Sequence, residues 1–390
     1  MKILVASHSY IVDLNCEKLR ILANLEPEIE VTIVVPKRWK PGGVMTDVVE
    51  PRYREDGSFR VVPVSNFSQN NQGLLSFGAD LIPLLQQFRP DIIQVEQGSK
   101  SIAYAELIIL NRLLGLQAKN LFFTWWNLPY TLKFPVSLLE SYNLCHTDGV
   151  VVGNRDGEQI LRQHGYQGEM RIMPQLGVDH QLFRPQCQPK LAAQLGIAET
   201  DFVIGFVGRF VPEKGLLTLA NALAGLKNRP WKWLLLGRGE QQETLLAAAK
   251  TLGFDDRLIW VDSVPHAEVY RYINLMDTLI LPSETTNQFK TLTSAGWKEQ
   301  FGHVLIEAMA CEVPVIGSDS GEIPNVIEDA GLIFPEGDSE ALRDRIFHLM
   351  GDRTFAKDLG RCGYARAIAR YTNHALAKEL FTFYRQLQAN

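Results

Sequence analysis

The stretch EQFGHVLIEAMACEVPVIGSDSGEIPNVI, residues 299–327, sets the reading of the fold. Phe301-Gly302 opens a helix, and Val304, Leu305, Ala308 and Met309 recur at the spacing of one apolar face. VPVIG follows without polar alternation, the pattern of a parallel strand covered on both sides. Gly317 and Gly321 then flank a turn, and Pro324 stands near the start of the next helix. Helix, buried strand, turn and helix make one repeat of a doubly wound α/β sheet.

Outward from this stretch the same grammar recurs. KILVAS (2–7), VTIVVP (31–36), DIIQVE (91–96), LFFTWW (121–126) and GVVVGN (149–154) read as buried parallel strands. Helix-length amphipathic segments separate several of them. Residues 180–200 carry prolines and no strand pattern. A second series then begins with FVIGFVGR (202–209), KWLLLGRG (232–239), LIWVDS (258–263), TLILPS (278–283) and VPVIGSD (313–319). The reading is α/β with two doubly wound Rossmann-like domains, 1–185 and 186–370. A helix over 371–390 is expected to pack back on the first domain. Two facing domains of this kind leave a cleft at the carboxyl ends of their strands, where ligands bind.

Composition supports two soluble domains. The chain has 390 residues, 46% hydrophobic and 21% charged, and a formal charge of −5. That balance argues against a nucleic-acid partner. Five cysteines, Cys16, Cys145, Cys187, Cys311 and Cys362, show no metal or disulfide spacing. No signal peptide and no membrane-spanning run is read, so a cytoplasmic protein is expected, with the inner membrane face as the alternative. The apolar segment 105–119 has few cations and reads as a packed helix, so membrane contact is expected to be weak and peripheral at most.

Three constellations carry chemistry, each at the carboxyl end of a second-domain strand. In GFVGRFVPEKG (205–215), Gly208 permits close backbone approach, Arg209 offers a planar fork and Lys214 a mobile point charge for phosphate. At the helix start near Gly302, His303 and Val304, free amides and the helix dipole favour an anion. Glu307 lies about 7 Å further along the axis and Glu299 just outside, and either carboxylate accepts hydrogen bonds from hydroxyls. The glycine turn at 317–321 adds backbone amides. Each feature alone also fits a plain surface loop or helix edge. Together they describe a site for a nucleotide diphosphate sugar.

GRFVPEKG followed by EQFGHVLIEAMACEVPVIGSDSGEIPNVI resembles the retaining glycosyltransferases of family 4, which have the GT-B fold. VVGNRDGEQILRQHGY and MPQLGVDHQLFRP extend the match upstream, and the N-terminal half matches in strand order only. The resemblance implies that Arg209 and Lys214 bind the donor diphosphate and support its departure. It implies that Glu307 holds the ribose hydroxyls, that Glu299 contacts the transferred sugar, and that the backbone of Gly302, His303 and Val304 meets the diphosphate or sugar. Val261 and Ser263, in the segment 261–265, are expected at the base. The implied reaction is retaining transfer from a UDP- or GDP-sugar to a saccharide or lipid-linked acceptor in polysaccharide or glycolipid synthesis. No metal or other cofactor is expected.

The sequence departs from that family in three places. The loop after the first strand, SHSYIVDLNCEK, lacks the usual glycine pair. TWWNLPY stands where a histidine is common. The approach to Glu299, residues 285–298, is long and reads as a lid or part of the acceptor site. On the acceptor side, His8, Tyr10, Glu96, Lys100, Trp126 and Asn127 fall at strand ends. The alternatives are a nucleotide-sugar epimerase, a sugar phosphorylase, or a non-catalytic nucleotide-sugar binding module. A dinucleotide oxidoreductase is disfavoured, because neither domain's first strand is followed by G-x-G-x-x-G.

Overall fold

The structure, a computed structural model, describes residues 1–41, 47–290 and 295–389, with backbone only at Phe289 and Lys290. The chain divides into two compact units, Met1–Gly177 together with Asn373–Asn390, and Val178–Thr372.

Unit 1 is built on an eight-stranded sheet. Its strands run in the order Glu169–Ile172, Gly149–Val152, Lys119–Thr124, Ile92–Val95, Lys2–Ala6, Glu30–Pro36, Phe59–Val64, Arg54–Asp56. All neighbours are parallel except the last pair. The apolar runs lack alternation because both faces are covered. Ile3 and Val5 enter one core cluster, while Leu4 and Ala6 enter the other. The helix Asn373–Ala389 completes the first of these clusters with Leu376, Leu380, Phe383, Tyr384 and Leu387. It lies so close to the strand Gly149–Val152 that a Cβ at Gly149 would stand 2.5 Å from Leu387 Cδ1.

Unit 2 has six parallel strands in the order Leu258–Val261, Trp231–Leu236, Phe202–Val207, Thr278–Leu281, Val315–Ser318, Leu332–Phe334. Numbered along the sheet's own sequence this is 3-2-1-4-5-6. Its winding reverses between Phe202–Val207 and Thr278–Leu281, and ligands of such sheets bind in the crevice beyond that point. Unit 1 reverses in the same way between Lys2–Ala6 and Ile92–Val95.

The unit boundary differs from the expected 185/186. Residues 178–185 belong to unit 2 because the Val178 amide donates to Tyr371 O at 2.8 Å and Phe183 is buried with its ring 5.4 Å from that of His266. For the same reason the second boundary falls after Thr372, which bridges Val178. Phe59–Val64, Glu169–Ile172 and Leu332–Phe334 are strands that the sequence reading did not mark. Among the described residues, no helix is long and apolar enough to cross a membrane.

Candidate functional site

In unit 2 the loops leaving the two central strands meet. After Phe202–Val207 the chain passes Gly208 and Arg209, makes a short 3-10 turn over Pro212–Lys214, and reverses at Gly215 with φ +62°. Only glycine fits there, since a Cβ would lie 1.8 Å from Pro282 O in the loop after Thr278–Leu281. This close approach brings Lys214 to Glu299, Nζ to Oε2 at 2.5 Å, although 85 positions separate them. Glu299 is 7% exposed. Its Oε2 also accepts from Ser283 Oγ at 2.8 Å. The Gly321 turn closes on the same place: a Cβ there would stand 1.9 Å from Glu299 O, whose carbonyl accepts the Glu322 amide.

Arg209 stands apart, with a side chain 60% exposed and one Nη 3.8 Å from buried Glu213. Its guanidinium is thus presented largely outward, alongside that long ion pair. Gly302, φ +85°, caps the helix His303–Ala310 and packs against Leu281, so the amide-bearing end sits beside the sheet's reversal point. Glu307 lies on that helix, and Glu299, which Lys214 meets, precedes its Gly302 cap in the chain. Val261 ends its strand, and exposed Ser263 follows it.

The next residues lead to His266, which the sequence reading missed. Its Nε2 lies 3.0 Å from Glu307 Oε1, and its pKa is raised above 6.5, chiefly by that hydrogen bond, with burial opposing and the charges of Glu307 and Asp179 assisting. A folded value above the unfolded one means stability that is present below about pH 6.5 and lost as pH rises through the raised value. His266 is half exposed, so the contribution is under about 1 kcal/mol. His266→Gln should therefore lower the thermal midpoint at about pH 5.5 and match wild type at about pH 8.5. An equal deficit at both would remove the ion pair from the account.

The unit 1 candidates separate into three groups. Tyr10 and Glu96 are buried, and they bond each other at 2.7 Å. Glu96 also accepts from Gln94 and Gln175, and Tyr384 donates to Gln94. Lys18, itself buried, has its pKa lowered by burial against the opposing charge of Glu96. Tyr10 and Glu96, expected on the acceptor side, thus lie in an internal polar network beyond that sheet's reversal point. His8 rests on the Trp39 ring at 4.9 Å, and burial lowers it to about 4, so it is neutral. Lys100 and Trp126 do come together: the ammonium lies 4.0 Å from the Trp126 ring and 3.5 Å from that of Tyr130. Burial lowers Lys100 to about 8, with Glu140 opposing. Asn127 is buried beside them in sequence. Of the long approach 285–298, residues 291–294 lie outside the described residues. Among the described residues, no three metal-type side chains converge.

Comparison with known proteins bears on the fold and on the second unit. Residues 188–366 match the family Glycosyl transferases group 1. D-inositol 3-phosphate glycosyltransferase of Segniliparus rotundus is 30% identical over 217 residues, 54% of this chain and 45% of that protein. A GDP-mannose-dependent alpha-(1-6)-phosphatidylinositol monomannoside mannosyltransferase of Mycobacterium tuberculosis is 28% identical over 54% of each chain. The chain spans about half the length of the curated relatives it matches. Sucrose-phosphate synthase from Thermosynechococcus elongatus superposes with a TM-score of 0.70 at 20% identity, over 100% of this chain and 99% of that one. Anabaena Alr3699/HepE in complex with UDP gives 0.69 at 16% identity over 99% of both. The chain thus has the GT-B fold, and residues 188–366 of it carry a Glycosyl transferases group 1 domain.

Proposed function

We propose that the protein transfers a hexose from a nucleoside diphosphate sugar to a saccharide or lipid-linked acceptor, with retention of anomeric configuration. The Lys214–Glu299 pair at the reversal point of the unit 2 sheet carries this reading. Lys214 and Arg209 meet the negative charge that grows on the departing diphosphate, aided by the helix start at Gly302. Glu299 takes hydroxyls of the sugar, and Glu307 those of the ribose. Backbone at 261–265 meets the base. The bond from the anomeric carbon to the diphosphate oxygen breaks, the acceptor oxygen bonds on the same face, and its proton passes to the leaving phosphate. With two cations and a helix terminus at the diphosphate, this route calls for no metal ion and no further cofactor. UDP in Alr3699/HepE and GDP-mannose dependence in the M. tuberculosis relative support a UDP or GDP donor. Such a protein works in the cytoplasm or at the inner membrane face, where nucleotide sugars are made.

Thermal unfolding with UDP, GDP and ADP tests the donor site first. One of them should raise the midpoint by a few degrees, since ligand at a hundredfold its Kd adds about 2.7 kcal/mol. The shift should vanish in Arg209→Ala and Glu307→Ala. Normal turnover by both folded variants would overturn the assignment, and binding without turnover on any acceptor would favour a binding module.

A further inference from the structure

Between the strand Thr278–Leu281 and Glu299 the chain makes an antiparallel pair, Thr286–Lys290 with Ala295–Trp297. A short connection would serve to hold the carboxylate. The pair does something further: it sets Trp297 beside the charged centre. Thr286 is the register partner of Trp297, and Gly296, φ +106°, presses its backbone on Thr286 O, where a Cβ would stand 3.0 Å away. The half-buried indole ends 5.0 Å from Lys214 Nζ, the same ammonium that lies 2.5 Å from Glu299 Oε2. Indole and carboxylate therefore flank one cation.

A hexose ring is polar at its rim and apolar on its C–H faces. A site that recognises it needs hydrogen-bonding groups at the edge and an apolar plate against a face. Glu299 supplies the first, and the Trp297 indole beside its Lys214 partner supplies the second. We propose that Trp297 is a donor-sugar contact: its indole is the wall against which the hexose of the nucleotide sugar packs. This rests on the donor reading above. The competing role is confined to Lys214, which the indole face steadies through its quadrupole.

Calorimetric titration of the full chain with UDP and UDP-glucose, and with GDP and GDP-mannose, separates the two. The readout is the ratio of the Kd for the sugar nucleotide to that for the free nucleotide. Trp297→Ala should raise this ratio about tenfold and leave the free-nucleotide Kd within about twofold, and Trp297→Phe should recover most of the loss. If the alanine variant does not fold, Trp297→Leu, apolar but without a ring, gives the same reading. An unchanged ratio overturns the proposal. So does an equal weakening of free and sugar-bearing nucleotides, which would place Trp297 behind Lys214. If the wild type binds no nucleotide, the donor reading itself falls and takes this one with it.

Discussion

Lys214→Ala is expected to lower the rate of sugar transfer about 10²–10³-fold, the usual cost of removing one preorganised charge from a developing anion. Two effects combine. Under the proposed function, the departing diphosphate loses a cation that the Gly215 reversal had fixed in place. Glu299, 7% exposed, loses the cation that faces its carboxylate at the proposed sugar site and keeps the Ser283 hydroxyl. Lys214→Arg should recover only part, because a planar fork does not replace a compact ammonium 2.5 Å from Oε2. Pairing Lys214→Ala with Glu299→Gln should cost less than the sum of the two, since each single change strands the other's partner. Steady-state turnover of the purified variants decides this, and wild-type turnover by folded Lys214→Ala would remove the pair from the mechanism.

Glu96→Ala is expected to cost about 3–5 kcal/mol of stability, because it leaves three buried donors, on Tyr10, Gln94 and Gln175, without their acceptor at once. Buried Lys18 would also lose the charge of Glu96, which favours its protonated form against burial. Glu96→Gln, which keeps an acceptor but no charge, should cost about 1–3 kcal/mol. The urea midpoint is the measurement. An unchanged midpoint with acceptor use abolished would return Glu96 to the acceptor side.

These two positions show what can be read from sequence. Buried parallel strands announce themselves, because residues such as Ile3 and Leu4 fill different cores and both must be apolar. Short edge strands do not: EMRI at 169–172 is charged, and LIF at 332–334 is too short to show a pattern. Lys214 and Glu299 were singled out through strand ends and the family pattern, and each follows a central strand of one sheet, but their direct contact was not foreseen. His266 was not, because a single exposed histidine beyond a strand carries no signal until Glu307 is seen 3.0 Å away. Glu96 was placed at the correct strand end, but the hydrogen-bond network that holds it was not foreseen. Its direction is set by Tyr10 and Gln175, and its neighbour Gln94 is held by Tyr384, 290 positions away. Nothing local to 91–96 encodes that.

The helix Asn373–Ala389 has a consequence for synthesis. Unit 1 is interrupted: its last structural piece is translated only after the whole of 178–372. Unit 2 is continuous, and every strand of its sheet has left the ribosome before that helix exists. The nascent first unit must therefore wait with the strip at Gly149–Val152 uncovered, lacking Phe383 and Leu387, while the second closes around its own centre. Ribosomal order makes the later unit the first to be complete, and the growing chain is most exposed to misassembly during that interval.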